Sequence, residues 1–218
     1  VTSNQTIFDK AISGSSDYDG QIRELVEKNP NIDAAEIIQA LMIKDIQMAC
    51  DVMKTVYDRT KGRDGYVSVE VTPSKARDTR ATIEEVRELW TKINRRNLMV
   101  KIPATKEGLP AVEQAISEGM NINVTLVFSV ERYKQVANAY IAGLERRAKD
   151  GKSLDHVASV ASVFVSRIDT LVDDLLAKKD AGKHTSLMGK AAVANTKFVY
   201  QAYKEFFGAP RFTALKAK

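Results

Sequence analysis

Residues 97–104 read Asn-Leu-Met-Val-Lys-Ile-Pro-Ala, a short apolar run that sets one ammonium, Lys101, between Val100 and Ile102. Side chains alternate across a strand, so Lys101 faces away from its two apolar neighbours. Ahead of this run, Thr82-Ile-Glu-Glu85 has the form of a capping box, and Ile83, Val86, Leu89, Trp90 and Ile93 continue as a helical stripe. Behind it, residues 109–117 read as a helix that stops at Gly119. A strand held between two helices is the unit from which parallel sheets are built.

Further out the alternation continues. Asp64-Gly65 signals a turn, after which Val67, Val69 and Val71 alternate with Ser68, Glu70 and Thr72 as in a two-faced strand. Residues 121–128, Asn-Ile-Asn-Val-Thr-Leu-Val-Phe, predict another strand. Ser129 then caps a helix bearing Val136, Tyr140, Ile141 and Leu144, and the β-branched run over 157–166 predicts a further strand. Helices are expected over 31–60, on a stripe from Ile38 to Val56, and over 168–176 and 188–207, with a fifth strand at residues 1–7. Strand and helix in alternation imply a parallel α/β fold, either a doubly wound sheet or a (β/α) barrel. No Gly-rich dinucleotide or phosphate loop follows any strand. Glu70, Lys101, Asn123 and Thr125 are polar positions on otherwise apolar strands, and in a barrel they converge inside, toward the mouth where barrel enzymes do chemistry. The barrel is therefore preferred, although five strands fall short of eight.

The 218 residues suit a single domain, and 44% hydrophobic content with 28% charged residues excludes disordered and fibrous classes. A net charge of +5 favours anionic partners, but acids and bases are interleaved, as in residues 145–152, which argues against a nucleic-acid surface. No apolar stretch has the length of a membrane span and the N-terminus lacks a signal-peptide layout, so a cytoplasmic setting is expected. Cys50 reads as helix core, His156 and His184 as surface residues, and the run from Lys178 to Lys183 as a solvated loop; one cysteine and two histidines do not make a metal cluster.

An ammonium on an inward strand face must be paired, snorkelled or deprotonated. Burial lowers the proton affinity of an amine, and a neutral amine attacks a carbonyl to form a Schiff base. The same pattern describes a strand-end lysine that only neutralises an edge. Glu70 reads as a general acid/base, a water holder, or simply the ion-pair partner of Lys101. Asn123 and Thr125 offer an amide and a hydroxyl to a water or substrate hydroxyls, or to a neighbouring strand. Ser162 lies on the strand at 157–166, and Arg167 just past it offers a guanidinium to a phosphate or to a surface carboxylate.

Five blocks together resemble the transaldolase family: residues 1–8 with Asn4, 67–71 with Glu70, 98–105 with Lys101, 122–129 with Asn123 and Thr125, and 160–169 with Ser162 and Arg167. The resemblance implies a class I aldolase-like (β/α)8 barrel without metal or organic cofactor, acting on sugar phosphates in the non-oxidative pentose phosphate pathway. It implies that Lys101 forms the Schiff base, that Glu70 and Thr125 hold a proton-relay water, that Asn4, Asn123 and Ser162 bind the dihydroxyacetone moiety, and that Arg167 lies near the phosphate. It also implies that these residues cover roughly strands two to six of the barrel, without the family's first-strand aspartate. Gln5 stands where the family carries proline, which is expected to loosen the loop holding Asn4. Unpaired barrel edges are expected to promote self-association, and a chain without that aspartate is expected to turn over slowly. The alternatives are another Schiff-base sugar-phosphate aldolase and an inactive oligomerising module.

Overall fold

The structure, a computed structural model, describes residues 1–180 and 183–216. In chain order the elements are α1 (Gln5–Gly14), α2 (Asp19–Lys28), α3 (Ala34–Arg59), β1 (Val67–Glu70), α4 (Thr79–Ile93), β2 (Leu98–Pro103), α5 (Gly108–Glu118), β3 (Ile122–Val127), α6 (Val130–Lys149), β4 (Ser159–Val163), α7 (Ser166–Asp180), α8 (Ala191–Gly208) and α9 (Pro210–Thr213). The strands form a parallel sheet in the order β1-β2-β3-β4. The chain is therefore α/β with helical crossovers, as the alternation requires. It divides into two compact units, one of residues 1–73 and 84–101 and the other of 74–83 and 102–218.

In the first unit, α3 begins at a complete capping box, in which Asp33 Oδ1 accepts from the Glu36 N–H and Glu36 Oε2 from the Asp33 N–H. Its buried stripe is Leu41, Ile46, Cys50 and Tyr57, while Ile38 and Val52 of the expected stripe are exposed. Burial pushes the Cys50 thiol up to about 11, so it remains protonated at neutral pH. Gly65 turns the chain into β1 at φ +84°, where a Cβ would lie 2.4 Å from the Tyr57 backbone nitrogen, so only glycine fits. Buried Asn97 fixes the start of β2, donating from Nδ2 to the carbonyls of Cys50 and Gly65.

Three expectations change here. The strand expected at residues 1–7 shrinks to a single bridge between Thr2 and Ser68, because Asn4 Oδ1 accepts from the Ile7 N–H and starts α1. Gln5 is then the first residue of a helix rather than part of a loop, a position that tolerates proline or any residue whose N–H is left over. Glu85 closes no capping box; its carboxylate accepts from the backbone N–H and hydroxyl of Thr72.

In the second unit, residues 74–83 supply the true start of α4. Asp78 Oδ1 accepts from the Ala81 N–H, and Thr82 lies one turn inside the helix, donating to the Lys75 carbonyl. Helix α5 ends at Gly119, left-handed at φ +92°, and Ser129 caps α6 by accepting from the Arg132 N–H, both as expected. Ile122, Val124 and Val127 of β3 pack with Ala111, Val112, Ala115 and Ile116 of α5 and Val136, Ile141 and Leu144 of α6 in the core. The solvated loop expected from Lys178 is helical through Asp180, and residues 181–182 lie outside the described residues.

Candidate functional site

In the first unit, β1 and β2 run parallel with Glu70 registered opposite Lys101. Lys101 Nζ donates to Glu70 Oε2 at 3.4 Å and to the Ser3 carbonyl at 3.2 Å. The two side chains are only 11% and 17% exposed, so the charges meet with little water between them. Ser3 is itself pinned, since its N–H and hydroxyl both donate to the Ser68 carbonyl. Asn4 follows at once, and with Oδ1 committed to the helix cap, its side chain offers Nδ2 to a ligand.

In the second unit, Asn123 and Thr125 are buried on β3. Asn123 Oδ1 accepts from the Ser162 hydroxyl at 2.8 Å, and the Thr125 carbonyl accepts from the Ala104 N–H. A bulge interrupts β3 beside Thr125: Val124 faces Ala161 and Val127 faces Val163, so β3 spends three steps where β4 spends two. Leu126, in the bulge, is left-handed at φ +60°, a conformation leucine rarely adopts. Arg167 is exposed in the first turn of α7, with its guanidinium 5.0 Å from the centroid of the Phe164 ring, and Phe164 is stacked on Phe128 at 5.2 Å. Of the two readings offered for Arg167, a surface carboxylate and a phosphate, the structure shows no carboxylate partner among the described residues, and the guanidinium rests against the Phe164 ring.

The structure thus joins Lys101 to Glu70, and Asn123 to Ser162. Sequence reasoning missed the Ser3 carbonyl on Lys101, the Leu126 bulge and the Phe128–Phe164 stack. Val-Phe recurs at 127–128 and 163–164, but an unbulged register would put Val127 opposite Phe164, so the repeat alone does not reveal the stack. An open concavity of about 930 Å3 bordered by α6, β4, α8 and α9 holds none of the predicted site residues. It is lined by aromatic side chains, among them Tyr133, whose hydroxyl burial pushes up to about 12. Among the described residues no group of three or more His, Cys, Asp or Glu side chains could hold a metal ion, and no helix is long and apolar enough to cross a membrane.

Parallel strands joined by helical crossovers, with a largely shielded Lys–Glu pair facing across two of them, are the arrangement expected of a lysine-dependent α/β enzyme. The family model described as transaldolase/fructose-6-phosphate aldolase matches residues 1–218, and the chain belongs to that family. It is 50% identical over 218 residues to a transaldolase of Acidothermus cellulolyticus, covering 100% of this chain and 58% of that protein. The corresponding figures are 49% for a transaldolase of Saccharopolyspora erythraea, with the same coverage, and 48% over 215 residues for one of Thermobifida fusca, covering 99% and 58%. The chain therefore spans less than two thirds of the length of these relatives.

Proposed function

We propose that this chain carries the Schiff-base machinery of a transaldolase, with Lys101 as the nucleophile. The observation that carries the reading is the Lys101 amine held at a strand end between the Glu70 carboxylate and the Ser3 carbonyl, in a chain of this family. An amine must lose a proton before it attacks, and Glu70 is the adjacent group able to accept one. The neutral amine adds to C2 of fructose 6-phosphate or sedoheptulose 7-phosphate, water leaves, and a protonated imine forms. A general base then takes the C4 hydroxyl proton, the C3–C4 bond breaks with its electron pair drawn toward the imine nitrogen, C4 departs as the aldehyde of an aldose phosphate, and the dihydroxyacetone unit stays on Lys101 as an enamine. That unit adds to the aldehyde carbon of glyceraldehyde 3-phosphate or erythrose 4-phosphate, and water hydrolyses the imine to free the lysine.

In this reading Glu70 and Thr125 hold the water that carries protons during imine formation. Asn4, Asn123 and Ser162 bind the dihydroxyacetone hydroxyls, and Arg167 meets the phosphate. The residues form one barrel domain corresponding to strands two to six and work in the cytoplasm on sugar phosphates without a cofactor. The net charge of +5 favours dianionic substrates.

Borohydride reduction in the presence of fructose 6-phosphate, followed by peptide mapping, tests the mechanism. A ketose or dihydroxyacetone adduct on Lys101, lost in Lys101→Ala, is expected; a folded chain that traps nothing overturns it. Dependence of turnover on an added aldose phosphate separates a transferase from an aldolase that releases its product.

A further inference from the structure

The pairing between β3 and β4 changes register at the bulge, and the consequence falls two residues later. Val127 faces Val163, so the next pair brings Phe128 beside Phe164. Without the extra residue, Val127 would face Phe164 and no ring could stack there. The rings lie nearly parallel, at 18° with centroids 5.2 Å apart, and the Arg167 guanidinium sits 5.0 Å from the centroid of the second ring. Backbone bonds hold both rings in place: the Phe164 N–H donates to the Val127 carbonyl, and Asn195 Nδ2 of α8 donates to the Phe128 carbonyl. Phe128 is 39% exposed although it is large and apolar, so the stack is not explained as core packing.

We infer that Phe128 is a positioning residue for Arg167: by stacking on Phe164 it fixes the ring over which the guanidinium lies, and so aims Arg167 at the phosphate of a sugar phosphate. An exposed arginine has several rotatable bonds, and an aromatic platform removes much of that freedom before the anion arrives. The strained left-handed Leu126 is then the conformational cost of the bulge that creates the stack. This inference rests on the proposed Schiff-base reading and on Arg167 meeting the phosphate.

The test measures borohydride-trapped adduct on Lys101 against the concentration of two donors, fructose 6-phosphate and unphosphorylated dihydroxyacetone, in wild type, Phe128→Ala, Phe128→Leu and Phe128→Tyr. Loss of one aromatic pair and of the rigidity it gives the cation is expected to raise the half-saturating fructose 6-phosphate concentration roughly three- to tenfold in the Ala and Leu variants. Trapping with dihydroxyacetone should stay within about twofold of wild type, and Phe128→Tyr should restore the wild-type concentration dependence. Equal loss with both donors would mean that Phe128 only supports the fold, and unchanged fructose 6-phosphate dependence would mean that Arg167 needs no platform; either overturns the inference while the Schiff-base reading stands. Absence of any adduct on wild-type Lys101 overturns both.

Discussion

Strands β2 and β4 read alike, each a short apolar run interrupted by one polar residue of interest, yet they end in different surroundings. Every residue of β2 is buried, whereas β4 is only partly covered and Val160 remains 47% exposed. Their polar residues differ in the same sense. Lys101 meets a carboxylate directly opposite it, with little water nearby, while Ser162 reaches diagonally to the neutral Asn123 amide. Hydropathy reports which side chains gain by leaving water; what covers them is decided by neighbours that a single strand does not contain.

The largest expected effect lies in the apolar halves of these strands. Leu98→Ala removes a fully buried side chain from β2 and should cost about 3 kcal/mol, read as a lower urea midpoint. Val160→Ala on β4 should cost less than about 0.5 kcal/mol. Equal losses would break the comparison by showing that the outer face of β4 is covered in solution.

Next come the polar partners. Glu70→Ala leaves the Lys101 ammonium buried with only the Ser3 carbonyl and should destabilise the chain by about 2–3 kcal/mol, less than a fully buried pair because both side chains retain some exposure. Ser162→Ala takes one donor from Asn123 and should cost about 1 kcal/mol. In trapping assays the ranking should persist, with Glu70→Gln slowing adduct formation more than Ser162→Ala. If the serine variant proved the slower, the division into a charged reactive pair and a neutral binding pair would be wrong.

What the sequence made legible was the periodic part. The strand at 98–103, the helix over 34–59 and the Gly119 stop are all announced by apolar spacing or by a residue with one dominant backbone use. Helices α1 and α2 were missed because each is only ten residues long: Phe8, Ala11 and Ile12 in the first and Ile22 and Leu25 in the second recur at helical spacing, but stripes of two or three residues are too short to stand out. A pairing of Glu70 with Lys101 was one of the readings the sequence allowed, since each is the polar residue of an otherwise apolar strand, but the register that sets them opposite one another comes from the sheet. The Phe128–Phe164 stack depends on a bulge that shifts register by one residue, and no residue preference marks Leu126 for a left-handed conformation.

The smallest effect sharpens the comparison with a second cation–carboxylate pair, one with better geometry but far more exposure. Arg211 donates to both carboxylate oxygens of Glu145, a geometry better than that of Lys101 with Glu70, but its side chains are 44% and 40% exposed. The guanidinium holds the Glu145 carboxyl below its ordinary value, so the stabilisation is present at neutral pH and is lost as acid protonates the carboxylate. Exposure keeps that gain small: Arg211→Ala should cost under about 1 kcal/mol, and the difference from wild type should shrink further in about 1 M salt, where screening acts within roughly 3 Å. The Glu70→Ala loss should change little under the same salt, because few ions reach a pair with so little exposed surface. If both losses shrank together, the Lys101 pair would be far more hydrated than its burial indicates, and desolvation would no longer distinguish the amine proposed to react from an ordinary surface cation.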